Sequence, residues 1–138
     1  MNAKPLIYMV DDEQDMQAIV RAWLEPDYIH AGFLNGQEFL GALQRGAPDL
    51  IIMDLVLPGI DGLELCRRVR ETPGCEQIPV LFLTGSHDHS NFLKNFSAGG
   101  NGFITKPVSR PQLMAAVDDL LDERQVIARS SADTGGGD

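Results

Sequence analysis

At 138 residues, with 43% hydrophobic and 22% charged content, the chain has the size and make-up of one globular domain whose core needs no disulfide or metal staples. A net charge of −9 argues against a nucleic-acid surface of its own, because phosphate contacts need clustered Lys and Arg; any DNA role would run through a partner. No stretch nears the roughly 18 apolar residues of a membrane span, and Asp11, Asp12 and Glu13 interrupt the opening run before a signal segment forms, so the expectation is a cytoplasmic protein with no membrane partner.

Taken in order, Leu6 to Val10 is an apolar run stopped by acids, a first strand. Met16, Ile19, Val20, Trp23 and Leu24 follow at helical spacing until Pro26 ends the helix. Tyr28 to Phe33 reads as a second strand, less apolar and so nearer a sheet edge. Asn35 with Glu38 is a capping-box pattern for a helix on Phe39, Leu40 and Leu43. Leu50 to Met53, bounded by Pro48-Asp49 and Pro58-Gly59, reads as a strand buried on both faces that ends in Asp54.

Asp61 with Glu64 repeats the capping pattern and opens a helix to about Glu71. Ile78 to Leu83 is the fourth strand, followed by Thr84-Gly85-Ser86. His87 to Ala98 reads as a fourth helix on Phe92, Leu93 and Phe96, stopped by Gly99-Gly100. Phe103 to Thr105 is a short fifth strand, then come Lys106-Pro107, a third capping box in Ser109 and Gln112, and a fifth helix on Leu113, Ala116, Val117, Leu120 and Leu121. Residues 1–124 thus form one domain, and 125–138, rich in Gly and Ser, a flexible C-terminal tail or the start of a linker. Strand and helix alternate five times, which implies an α/β fold: a parallel sheet covered by helices on both faces.

Cys66 falls on an apolar helix face with Leu63 and Val69 and reads as a buried thiol, Cys75 as an inert loop thiol. His87 and His89 are two apart and do not make a zinc spacing, and His30 reads as a structural strand residue. Chemistry concentrates elsewhere. Asp11 and Asp12 follow strand one, Asp54 strand three, Thr84 strand four and Lys106 strand five, and open α/β sheets bind ligands at the carboxyl ends of their strands. Singly, the acids read as caps or turn residues, Thr84 as an ordinary strand end and Lys106 as a solvated lysine. Jointly, crowded carboxylates repel one another, and a divalent cation relieves that repulsion. Oxygen-only ligands suit Mg²⁺, which binds through one or two carboxylates plus a phosphate. Asp54 could then act as nucleophile on a phosphoryl donor, with Lys106 neutralising oxygen charge and Thr84 donating its hydroxyl. Lys106-Pro107 is an X-Pro bond, the kind that can be cis.

Five stretches together resemble the receiver domain of two-component response regulators: Val10-Asp11-Asp12-Glu13, Pro48 to Asp54, Leu57 to Leu65, Leu83-Thr84-Gly85, and Gly102 to Pro107. The resemblance implies a flavodoxin-like (βα)5 three-layer sandwich with a parallel five-stranded sheet of order 2-1-3-4-5. It further implies that Asp54 takes phosphate from a sensor histidine kinase or phosphotransfer protein, and that Mg²⁺ is held by Asp11, Asp12, Asp54 and the backbone carbonyl of Val56. Thr84 and Lys106 would contact the phosphoryl group, Phe103 would be the aromatic switch, and Lys106-Pro107 would be cis. Phosphorylation would alter the face of the fourth helix, fifth strand and fifth helix, and so control a downstream protein, an output domain outside this sequence, or a homodimer. Such a protein assists its own phosphorylation and is not a turnover enzyme. Departures from the family pattern are Gly100, where alanine is usual, and Val56 and Ser86, at positions that influence dephosphorylation; an apolar residue at 56 implies a slow loss of phosphate. The acids Asp118, Asp119 and Asp122 on the last helix read as a solvated face. The alternatives are a Mg²⁺-dependent phosphohydrolase, which lacks a second acid two residues beyond Asp54, and a scaffold module that is never phosphorylated.

Overall fold

The computed structural model describes residues 3–85 and 100–122, apart from the side chain of Thr84. They form β1 (Leu6–Val10), α1 (Gln14–Leu24), β2 (Ile29–Phe33), α2 (Gly36–Arg45), β3 (Leu50–Asp54), α3 (Gly62–Glu71), β4 (Val80–Thr84), β5 (Gly102–Thr105) and a last helix over 110–122. The five strands make one sheet of order β2-β1-β3-β4-β5, and every pair is parallel. This is the flavodoxin-like order expected from the sequence, with β2 at an edge. The predicted fourth helix, His87 to Ala98, lies outside the described residues, as do Ser86, Gly99 and the predicted tail from 125 on.

The continuous apolar runs have a simple cause. Successive side chains of a strand point to opposite faces, and both faces here are covered. Ile51 and Met53 of β3 enter one core with Tyr8, Val10, Phe39, Leu65, Val69 and Phe82, under α2 and α3. Leu50 and Ile52 enter the other with Ile7, Met9, Val20, Leu24, Leu113 and Val117, under α1 and the last helix. Each such fully buried side chain contributes about 1.5–3 kcal/mol. Cys66 and Cys75 are both buried in the first core, so Cys75 is a packed residue as well as a loop residue. Burial pushes the Cys66 thiol up.

The capping signals hold where described. Asn35 Oδ1 and Asp61 Oδ1 each accept from the N3 amide, at 2.9 Å. Ser109 and Gln112 form the full reciprocal box: the Ser109 amide donates to Gln112 Oε1 at 3.1 Å and the Gln112 amide to Ser109 Oγ at 3.2 Å. Boundaries shift at two strands. The Tyr28 amide donates to the Leu24 carbonyl, which keeps it in the helix-end turn and starts β2 at Ile29. The Ile78 carbonyl accepts from Arg70 Nη1 at 2.7 Å, and β4 begins only after Pro79. The acidic face of the last helix is solvated as expected, Asp118, Asp119 and Asp122 all being exposed, and Asp118 also accepts a hydrogen bond from the Tyr28 hydroxyl.

Candidate functional site

Strand register builds the site. β1 and β3 are neighbours with Val10 opposite Met53, so Asp11 and Asp54 emerge side by side at adjacent carboxyl ends. β4 lies next to β3 and β5 next to β4, with Thr84 opposite Thr105, and Lys106 follows directly. The Lys106-Pro107 bond is cis. Lys106 Nζ reaches back across the sheet end to Asp11 Oδ2 at 3.1 Å and Asp54 Oδ2 at 3.2 Å. It also donates to Glu13 Oε1 at 2.9 Å.

The other carboxylate oxygens are held by backbone. Asp11 Oδ1 accepts from the Glu13 amide at 2.9 Å, and Asp54 Oδ1 from the Val56 amide at 3.1 Å. The Asp11 amide in turn donates to the Phe33 carbonyl at 3.0 Å. Gly62 sets the floor: a Cβ there would stand 2.4 Å from the Asp54 carbonyl oxygen, so only glycine lets the start of α3 press this close to the end of β3.

Asp12 is exposed, and its carboxylate lies within 4.8 Å of those of Asp11 and Asp54. This trio could hold a metal ion. Four carboxylates, counting Glu13, face one ammonium, so the cluster keeps a surplus of negative charge and offers only hard oxygen donors, which fits a hard divalent cation.

Two neighbours titrate differently for a stated reason. Burial raises the Asp11 carboxyl above its ordinary value and outweighs the Glu13 amide and Lys106, which pull it down. For Lys106 burial works downward, yet the Glu13 hydrogen bond and the charges of Asp11 and Asp54 win and hold it well above the lysine range. Lys106 therefore stays charged. Its hydrogen bond and its charge lower the Glu13 carboxyl.

The remaining expected residues are placed as follows. Thr84 closes β4, and its side chain lies outside the described atoms. Phe103, on β5 opposite Phe82, is 40% exposed. Val56 is 70% exposed on the loop that follows Asp54. Sequence reasoning gave Glu13 no role. It occupies the N-cap of α1 without capping it, because its carboxylate is turned to Lys106 instead. Gln17 was missed as well: buried in α1, its Nε2 donates to the carbonyls of Met9, Asp11 and Phe33 at 3.0–3.1 Å and ties the helix to the strand end that carries Asp11. Its signal was a polar residue three and seven positions before Val20 and Leu24, within the apolar stripe.

Compared with known families, the chain matches the response regulator receiver domain over residues 7–118. The chain belongs to that family. It is 37% identical over 118 residues to the phosphate regulon transcriptional regulatory protein PhoB of Rhizobium meliloti, covering 85% of this chain and 52% of that protein. It is 33% identical over 129 residues to the transcriptional regulatory protein ResD of Bacillus subtilis, covering 93% and 52%. The chain thus spans about half the length of these curated relatives. Among solved structures, the signal receiver domain of a histidine kinase from Syntrophus aciditrophicus superposes with a TM-score of 0.79 at 32% identity, over 86% of this chain and 91% of that one. Receiver domains are generally signalling switches and not classical enzymes. Among the described residues no helix is long and apolar enough to cross a membrane.

Proposed function

We propose that this receiver domain is a phosphorylation-controlled switch in which Asp54 accepts a phosphoryl group from the phosphohistidine of a sensor histidine kinase or phosphotransfer protein. The observation that carries the reading is the single ammonium of Lys106 shared between Asp11 and Asp54, with Asp12 beside them. Residues remote along the chain converge there on the one carboxylate that closes the central strand.

An Asp54 carboxylate oxygen attacks phosphorus, the P–N bond to the donor imidazole breaks, and the imidazole leaves with its nitrogen electron pair and takes up a proton. An acyl phosphate remains on Asp54. The Val56 amide holds one oxygen of Asp54 in place, so the other meets the donor. Lys106 is already protonated and within reach, and it offers its charge to the phosphoryl oxygens in exchange for the carboxylate it pairs with now. Asp11, Asp12, Asp54 and the Val56 carbonyl would hold Mg²⁺, whose chemistry is to neutralise charge on those same oxygens.

Thr84 follows the phosphate with its hydroxyl, and Phe103 on the neighbouring strand exchanges its exposed setting for a buried one. The altered face, expected from the sequence to be that of the fourth helix, β5 and the last helix, then engages a downstream protein, an output domain or a second copy. Residues 1–124 carry this switch and 125–138 act as a tail or linker, in a cytoplasmic protein.

Incubation with acetyl phosphate and Mg²⁺ followed by intact mass tests the reading. One phosphate is expected in the wild type, and none in Asp54→Asn or with a chelator present. Phosphate on Asp54→Asn, or a wild type that stays unmodified, overturns it.

A further inference from the structure

Three residues of α1 are buried: Val20 and Leu24 in an apolar core, and Gln17, whose polar head stands at the ends of two strands. Its Nε2 donates to the carbonyls of Met9 and Asp11 at 3.1 Å and of Phe33 at 3.0 Å. Met9 belongs to β1, Phe33 closes β2, and Asp11 is the first residue beyond β1. Only the amide nitrogen can donate to carbonyls, so the orientation of the head is fixed. The Gln17 backbone N–H meanwhile donates to the Glu13 carbonyl at 3.1 Å. One residue thus grips both ends of the loop Asp11-Asp12-Glu13.

The grip is kept at a cost. With Nε2 turned to the strand ends, Gln17 Oε1 meets no hydrogen-bond partner among the described residues. A buried polar atom left so loses its hydration without compensation. β2 also forgoes a side chain: a Cβ on Gly32 would stand 2.3 Å from Gln17 Oε1 and 2.9 Å from its Cδ, so the amide fills the space over that glycine. An apolar residue would pack here with no orphaned oxygen. Departures of this kind from what packing alone favours concentrate at functional sites.

The loop needs a brace because of what it carries. Asp11, Asp12 and Glu13 are consecutive acids, and the carboxylates of the first two lie within 4.8 Å of each other and of Asp54. Like charges so close repel one another and favour a loop that opens. Lys106 pairs with Asp11, Glu13 and Asp54, which leaves the backbone to place Asp12. An amide holds that backbone and adds no charge, so the carboxylates keep theirs for a cation.

We propose that Gln17 is a positioning residue for the metal-dependent step: acting through the backbone of Asp11 and Glu13, it holds Asp11 and Asp12 against Asp54 before a divalent cation arrives. The inference rests on the reading of this site as a Mg²⁺-assisted phosphoacceptor. Groups that orient metal ligands from behind are worth roughly 10–100-fold in metal affinity.

The test is a Mg²⁺ titration of the ¹⁵N-labelled full chain, followed at the backbone amides of Asp12 and Glu13, in the wild type, Gln17→Met and Gly32→Ala. Gln17→Met keeps the length of the side chain and loses the donor, and Gly32→Ala displaces the amide from the β2 side. Each is expected to raise the Mg²⁺ dissociation constant about tenfold or more. Asn35→Ala, which uncaps α2 and removes no group of the brace, controls for stability and should bind Mg²⁺ within about twofold of the wild type. Phosphorylation by acetyl phosphate should slow in Gln17→Met and Gly32→Ala at low Mg²⁺ and recover at saturating Mg²⁺, because the loss is in holding the cation and not in Asp54. Far-ultraviolet dichroism checks folding, and either variant suffices if the other is not folded. Wild-type affinity in a folded Gln17→Met, an equal loss in Asn35→Ala, or a wild type with no saturable Mg²⁺ shift at these amides overturns the proposal. Unfolding of both variants overturns it too, since Gln17 then serves the fold alone. A wild type that binds Mg²⁺ more tightly than the two variants yet takes no phosphate refutes the phosphoacceptor reading and leaves the brace standing.

Discussion

Lys106→Met makes the sharpest test of how the site is held together. Lys106 is 17% exposed, while the side chains of its partners Asp11 and Asp54 are 0% and 8% exposed. Removing the ammonium leaves two buried carboxylates within 4.8 Å of each other, with Asp12 equally near. Breaking a buried pair from one side costs about 3–5 kcal/mol. Here the Glu13 and Val56 amides stay on the two carboxylates and keep part of that charge satisfied, so the expected loss is about 2–3 kcal/mol at about pH 7. Urea denaturation in the presence of a chelator measures it.

The pH dependence has a definite sign. The Asp11 carboxyl is already raised in the folded wild type by burial. A group that binds its proton more tightly when folded adds stability at low pH, and that stability is lost as pH rises through the folded value. Losing Lys106 removes one of the influences that lowers it, so the gap between variant and wild type should shrink as the pH falls and the Asp11 carboxyl takes a proton. Saturating Mg²⁺ should also narrow the gap, because the variant's carboxylates have lost their counter-charge and gain more from a bound cation than those of the wild type. A loss under about 0.5 kcal/mol, the size of an exposed ion pair, would refute the view of Lys106 as the counter-charge of a buried cluster.

Gly62→Ala should cost about 1–3 kcal/mol in urea denaturation, since its Cβ would meet the Asp54 backbone oxygen at 2.4 Å and backbone cannot give way cheaply; it should also slow phosphorylation by acetyl phosphate, because the start of α3 moves against the residue being modified. Asn35→Ala removes the 2.9 Å cap of α2 and no group of the acidic cluster, and should lower stability by about 1 kcal/mol while leaving the phosphorylation rate unchanged. Val56→Asn should shorten the phosphoryl half-life several-fold by giving a hydrolytic water a polar neighbour, with little effect on stability because position 56 is 70% exposed; an unchanged half-life would count against a role for that side chain.

The fold was legible because its determinants are periodic. β3 carries Leu50 and Ile52 into one core and Ile51 and Met53 into the other, and a strand buried on both faces shows this as an unbroken apolar run. The strand-end acids and Lys106 were legible because punctuation and register place them: each stands where an apolar run stops, and parallel strands bring those stops to one edge. Glu13 and Gln17 were not, for one physical reason. Both sit in a helical turn whose sequence carries ordinary helix residues, and their importance lies in distances to partners far away in the chain, Lys106 for one and the Phe33 carbonyl for the other. Apolar burial is nearly indifferent to which neighbour supplies it, so composition and spacing encode it well. A hydrogen bond needs one particular atom within about 3 Å and in line, which no periodicity records. The same contrast explains why the acidic loop could be located from sequence as a site, while the tie that Gln17 makes to Asp11, the residue after β1, emerged only when α1 was seen packed against β2.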